Sequence, residues 1–178
     1  MAHAGLVLFA LAAASCGAQA TCWSEAQSRY DVPAPLLYGI ACAESDLRPL
    51  AMNRSHLAIT GSYDIGLMQI NSGHLPALAQ HGISEPDLLE ACTSVMVGAW
   101  ILRQLFERFG PTWEAVGAYN AACTRLKGPE CQAARAKYAW RVYRCMRRGF
   151  APEPVHATPV EAMQSPRSAP ILSARASP

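Results

Sequence analysis

The stretch Pro33-Ala-Pro-Leu-Leu-Tyr-Gly-Ile-Ala-Cys-Ala-Glu-Ser-Asp46 decides the reading of this chain. Its prolines suit the first turn of a helix, where the backbone N–H groups have no intrahelical partner to lose. Leu37, Ile40, Ala41 and Glu44 then recur at i, i+3, i+4 and i+7, which puts Glu44 on the apolar face of that helix. Burial there favours the protonated carboxyl. So does the negative end of the helix dipole. A glutamate kept neutral near neutral pH is what a general acid needs. The alternative is a helix-end glutamate turned into solvent.

Outward from this run the signals are helical. Cys22–Arg29 reads as a short helix ahead of it. After it, residues 46–66 lose periodicity and carry Pro49, Asn53, Gly61 and Gly66, which predicts a loop with a small hairpin around Ile59–Ile65. A short helix is expected near Ser72–Gln80, ended by Gly82. Thr93 or Ser94 can cap a helix over about 93–109, read as the longest; its VMVGAWIL half is apolar nearly all round and belongs at the centre of the core. Gly110-Pro111 stops it, Thr112 caps TWEAVGAYNA, and a last helix runs over about 129–147. The fold class is all-α, with β structure limited to that hairpin.

The two ends differ from the middle. Residues 1–20 read as an export signal: Gly5 to Ser15 is apolar, Ala18-Gln19-Ala20 fits small-x-small cleavage, and the start carries His3 rather than Lys or Arg. The apolar run is too short for a good transmembrane helix, so no stable span is expected in the mature chain. A lipid-bearing Cys16 is disfavoured, because Ala13 stands where a Leu is usual three residues earlier. The 30 residues from Gly149 contain six prolines and one Phe, too little apolar surface to order themselves, and are read as a disordered tail. The division expected is 1–20 signal, 21–148 domain and 149–178 tail.

A net charge of +2 without a basic stripe argues against a nucleic-acid partner. Cleavage would leave six cysteines: Cys22, Cys42, Cys92, Cys123, Cys131 and Cys145. An even count in an exported chain reads as disulfides. Cys123 and Cys131 are near enough in sequence to close a short loop. Metal is not expected, since no CxxC or HExxH spacing occurs and His56, His74 and His81 are scattered. No cofactor is implied.

Three further stretches could carry chemistry with Glu44. In Gly61-Ser-Tyr-Asp-Ile-Gly-Leu-Met-Gln-Ile-Asn71 two glycines bracket a tight segment, and Gln69 and Asn71 offer amides of the kind that sugar hydroxyls and N-acetyl groups require. Leu67 and Met68 could equally be core plugs. Gly117-Ala-Tyr-Asn-Ala121 offers an apolar ring and a polar pin, although a helix-terminal Asn is more often a cap. In Tyr138-Ala-Trp-Arg-Val-Tyr143 the aromatics read as core, with one hydroxyl reaching a buried glutamate as the functional alternative.

Taken in order, Glu44-Ser45, Gly66-Leu67-Met68-Gln69, Ala118-Tyr119-Asn120-Ala121 and Tyr138 resemble the lytic transglycosylases of the soluble-lytic-transglycosylase type, a branch of the lysozyme superfamily. The resemblance covers about residues 22–148. The SYDIGLMQIN form is similar to the small specialised enzymes that accompany type III and type IV secretion systems and pili. It implies a lysozyme-like α-helical domain, a periplasmic location, and peptidoglycan glycan strands as substrate, with secretion or pilus components as expected partners. Glu44 would be the acid/base; Ser45, Met68, Gln69, Tyr119, Asn120 and Tyr138 would bind substrate, with Tyr138 placed near the acid. The family's AYNA usually leads into a Gly-rich turn, whereas Ala122-Cys123 follows here.

Most glycosidases use two carboxylates. A transglycosylase closes the sugar's own 6-hydroxyl onto C1 and needs no activated water, so one glutamate suffices. Asp64 is the acid that could restore ordinary hydrolysis if it reaches the groove. A wall-binding module without activity is the reading outside enzymes. The preferred remaining disulfides are Cys22–Cys92 and Cys42–Cys145, with Cys42 as a buried thiol the other option.

Overall fold

The computed structural model describes residues 14–149; the expected signal up to residue 13 and the expected tail from residue 150 lie outside them. Helix α1 (Ala14–Tyr30) starts earlier than the sequence pattern predicts and contains the expected cleavage site. Helix α2 (Ala34–Ser45) opens with proline in its first turn and ends at Asp46, whose left-handed backbone turns its N–H back to the carbonyls of Ala41 and Cys42. Leu36, Leu37, Ile40 and Ala41 are buried on it.

Between α2 and the central helix lies the β structure. Strands β1 (Met52–Asn53), β2 (Asp64–Ile65) and β3 (Ile70–Asn71) form an antiparallel sheet in the order β1-β2-β3. The expected hairpin over Ile59–Ile65 is not present: Leu57–Thr60 is a single helical turn, α3, and only Asp64 and Ile65 of that span are in a strand. Two-residue strands carry no alternation that sequence can display. The register pairs Asn53 with Asp64 and Asp64 with Asn71. Alternation of side chains across the pleat then groups these three polar residues on one face, while Ile65 and Ile70 turn to the core.

A short 3₁₀ turn leads into α4 (Leu75–Ala79), and another over Pro86–Leu89, unforeseen in the sequence, leads into α5 (Ala91–Phe109). Neither Thr93 nor Ser94 caps α5. The Glu90 carboxylate does, accepting from the N–H groups of Cys92 and Thr93, because Glu90 has the extended backbone a cap requires while Thr93 already lies in the first turn. Val95, Met96, Val97, Ala99 and Leu102 put α5 at the centre of the core, as its composition predicts. Thr112 caps α6 (Trp113–Asn120) by accepting from the Ala115 N–H. Helix α7 (Gly128–Gly149), with 22 residues, is longer than the 19-residue α5, so the expectation that α5 is the longest is corrected.

Helix α5 packs on α1 and α6, and α7 packs on α2 and α6. The α2–α7 crossing is close because residue 39 is glycine: a Cβ there would collide with Met146 and press on the Val142 carbonyl. Three disulfides reinforce this frame: Cys22–Cys92 joins α1 to α5, Cys42–Cys145 joins α2 to α7, and Cys123–Cys131 closes the loop between α6 and α7. These are the pairs preferred from sequence. Among the described residues no helix is long and apolar enough to cross a membrane.

Candidate active site

The end of α2, the polar face of the sheet and the end of α6 enclose a cleft of about 660 Å³. Glu44 lines it from the last turn of α2. Burial raises its pKa above the ordinary 4.5, and the nearby Asp64 charge adds to that rise. Tyr138, Arg141 and Asn120 act in the opposite direction without cancelling it. The inward face expected for Glu44 is therefore present, and its carboxyl holds a proton more readily than a solvated one.

Tyr138 on α7 is buried behind Glu44 and does not line the cleft. Its hydroxyl makes no hydrogen bond of ordinary geometry among the described residues. It is nevertheless close enough for the carboxylate to be its main electrostatic neighbour: burial, and then Glu44, push the phenol well above its usual pKa. Tyr138 is thus a protonated donor waiting beside the acid. Arg141, one turn further along α7, lies over the Tyr138 ring at 5.0 Å. Its position on the same face follows from the i, i+3 spacing, which the sequence reading did not use.

The turn Gly66–Gln69 is held from three helices. Ser45 of α2 donates its hydroxyl to the Leu67 carbonyl at 2.7 Å, Ser94 of α5 accepts from the Met68 N–H at 3.0 Å, and Tyr119 of α6 donates to the Met68 carbonyl at 3.1 Å. Gly66 has φ +75°, and a Cβ there would run into the Leu88 carbonyl. Gln69 also adopts a left-handed backbone, with φ +48°, and its side-chain amide donates to the carbonyls of Ala51 and Gly66. Such a backbone persists in a non-glycine residue only when its surroundings over-determine it.

Three of the expected substrate contacts are corrected, Tyr138 because it is buried off the cleft and two more by these bonds and the core packing. Ser45 is buried, with its hydroxyl committed to the Ala41 and Leu67 carbonyls, and it does not reach the cleft. The Met68 side chain is fully buried in the core, the plug reading of that residue. Gln69, Tyr119 and Asn120 do line the cleft. Ser94 was read from sequence only as a possible helix cap, and its hold on the Met68 N–H was missed.

Asp64 also lines the cleft. The sheet register sets it between two amides: Asn71 donates to it at 2.9 Å and Asn53 at 3.3 Å. His56 Nε2 lies 3.6 Å from Oδ2, the oxygen that also accepts from Asn53. The cleft therefore contains two carboxyl groups in different settings, one desolvated and one hydrogen-bonded by amides, a division that separates acid from charge-stabilising roles in glycosidases.

A family model described as the transglycosylase SLT domain matches residues 21–139. The chain belongs to this family. Among its relatives, the invasion protein IagB of Salmonella typhimurium is 44% identical over 128 residues, covering 71% of this chain and 78% of IagB. Protein IpgF of Shigella flexneri is 41% identical over 127 residues, covering 71% and 79%. A peptidoglycan-binding-like protein of Escherichia coli O157:H7 is 36% identical over 131 residues, covering 71% and 76%. The protein is a lytic transglycosylase acting on peptidoglycan. Its mainly helical fold with a small sheet agrees with the lysozyme-like architecture of the family.

Proposed function

We propose that this transglycosylase cleaves the β-1,4 bond between N-acetylmuramic acid and N-acetylglucosamine with Glu44 as its single acid/base. The supporting observation is the desolvated, pKa-raised Glu44 carboxyl at the cleft, backed by the Tyr138 hydroxyl. The Glu44 proton goes to the glycosidic oxygen as its bond to C1 breaks, releasing the N-acetylglucosamine 4-hydroxyl. The carboxylate so formed takes the proton of the muramoyl 6-hydroxyl while that oxygen bonds to C1, closing a 1,6-anhydro ring. Gln69, Tyr119 and Asn120 hold the strand.

Export by residues 1–20 and a periplasmic location belong to this reading, with 21–148 as the working domain. Likeness to IagB, named an invasion protein, supports a role in opening the wall locally for a secretion or pilus apparatus.

Asp64 supports a second reading. Held on the same cleft and acting on Glu44, it could direct water to C1 as in a lysozyme-type hydrolase. Mass spectrometry of digested peptidoglycan separates the two: anhydro-muropeptides are expected, and reducing-end products alone would replace the first reading with the second. Complete absence of products would favour a binding module. Glu44→Gln is expected to lower cleavage by about 10²–10⁴-fold, the usual share of acid–base catalysis; retained cleavage by the folded variant would remove Glu44 from the mechanism.

A further inference from the structure

Helices α6 and α7 present a second hollow to solvent, apart from the cleft. It measures about 360 Å³ and is lined by Trp113 of α6 and by Ala136, Ala139, Trp140 and Tyr143 of α7. None of the five lines the cleft. Trp113 and the cleft residue Asn120 are the first and last residues of α6, about 10 Å apart along its axis. Tryptophan is highly buried on average, yet Trp113 is 49% and Trp140 63% exposed, and neither ring belongs to the core.

The rings are nevertheless held in a set arrangement. The Tyr143 ring lies 5.9 Å from Trp113 at 88° and 5.1 Å from Trp140 at 32°. Ala136 and Ala139 are too short to fill the space between them. Beneath, the two helices are locked together: Arg135 pairs with the Glu114 carboxylate, and Gly117 lies so close to the Arg135 backbone that a Cβ would collide with it. Lys137, Arg144 and Arg147 flank Trp140 at i−3, i+4 and i+7, and all three are exposed. None forms an ion pair with a described carboxylate. Arg147 instead donates to the Tyr143 hydroxyl at 3.3 Å.

The volume falls within the range of small-ligand sites, roughly 300–1,000 Å³, whereas a protein interface needs a much wider apolar area. A pyranose ring has the matching chemistry. Its C–H face is flat and apolar and lies against an aromatic ring, while its hydroxyl and acetamido groups point outward to water and to polar neighbours. Peptidoglycan also carries carboxylates, on its peptides or on muramic acid itself where the peptides have been removed. Both forms therefore complement the three cations at the rim.

We propose that the hollow between Trp113, Trp140 and Tyr143 is an accessory glycan-binding site, which stacks a sugar ring of peptidoglycan away from the cleft and holds the enzyme on its insoluble substrate. The proposal rests on peptidoglycan as the polymer and not on which group at the cleft cleaves it.

The test uses the full oxidised chain. Cleavage is followed on insoluble peptidoglycan and on soluble glycan fragments short enough to occupy the cleft alone. Trp113→Ala with Trp140→Ala is expected to raise the KM on the insoluble polymer about tenfold with kcat unchanged, the size of one buried ring, and to leave turnover of the soluble fragments as it was. Trp140→Phe, which keeps a ring, should lose less. Arg144→Glu with Arg147→Glu leaves both tryptophans in place and should also raise the KM at low salt. Co-sedimentation of the tryptophan variant should fall alike on intact and on amidase-stripped peptidoglycan, because the sugar is common to both. An unchanged KM in the tryptophan variant, or a loss confined to peptide-bearing material, overturns the site. Equal loss on the soluble fragments would mark a merely structural role and overturns it too. Tryptophan-dependent retention by phosphatidylglycerol vesicles, with peptidoglycan retention unchanged, would assign the hollow to a lipid surface instead. Failure of the Glu44 mechanism would appear separately, in the products of the unsubstituted enzyme on the soluble fragments.

Discussion

The two walls of the cleft are built on opposite principles. The turn Gly66–Gln69 is pinned by buried hydrogen bonds from Ser45, Ser94 and Tyr119 and fills its space so closely that Gly66 has no room for a methyl group. The loop 121–127 is mostly exposed, bonds little to itself, and is held by one disulfide and by the Arg135 hydrogen bond to the Ala121 carbonyl. A wall fixed by packing can place a reacting geometry but cannot change without loss of the core. A wall fixed by a covalent clip can vary in sequence and still be presented rigidly. The first wall suits positioning of the strand at Glu44; the second can differ in sequence without disturbing the core.

Substitutions should separate the walls by size of effect. Gly66→Ala combines a left-handed backbone with a backbone collision and should cost about 3–4 kcal/mol, read by denaturant unfolding. A loss below about 1 kcal/mol would mean that the packed wall yields after all. Ser94→Ala leaves the buried Met68 N–H without its acceptor and should cost about 1–3 kcal/mol. In the other wall, Cys123→Ser with Cys131→Ser opens a clip across a separation of only 8 residues. Short loops gain least from cross-linking, so about 2 kcal/mol or less is expected. The same variant should be cut faster by trypsin at Arg125 and Lys127; unchanged cutting would show that the loop is ordered without its clip.

The smallest effect concerns Glu44, which lies between the walls. Its folded pKa is raised by burial, so the folded chain holds more protons than the unfolded one between the ordinary value of 4.5 and the raised value. Stability from this group is therefore present at acid pH and is lost as pH rises through the raised pKa. Glu44→Gln, which removes the buried charge, should raise the melting temperature slightly at neutral pH. That gain should shrink as the pH falls toward 4.5. A gain that grows on acidification would contradict the burial argument. The cleavage activity of the unsubstituted enzyme should fall over the same rise in pH, as the acid loses its proton.

The legible parts of this molecule were those carried by periodicity or by a special residue. The 3.6-residue spacing of α2 gave the inward direction of Glu44, and the apolar run of α5 gave its central place. Thr112 announced α6 in the same way. The sheet was misplaced because its strands have two residues each, too few to show a period, and β1 pairs with β2 across the helical turn α3. Ser45 and Met68 were read as substrate contacts because they sit inside motifs; a motif keeps residues for packing as readily as for binding.

By itself, the sequence determined the mainly helical framework and placed Glu44 on the apolar face of its helix, since these follow from local spacing along each helix. The four motifs, in their order along the chain, were enough to point to peptidoglycan. Only the tertiary structure decided which polar residues meet in the cleft. Asp64 reaches it because β2 lies between two strands that each contribute an asparagine to the same face. Tyr138 comes to stand behind Glu44, and loop 121–127 becomes a wall, because α7 returns across α2 and α6. The physical reason is that such meetings depend on where separate elements cross, and neither helical nor strand period carries information about residues dozens of positions away.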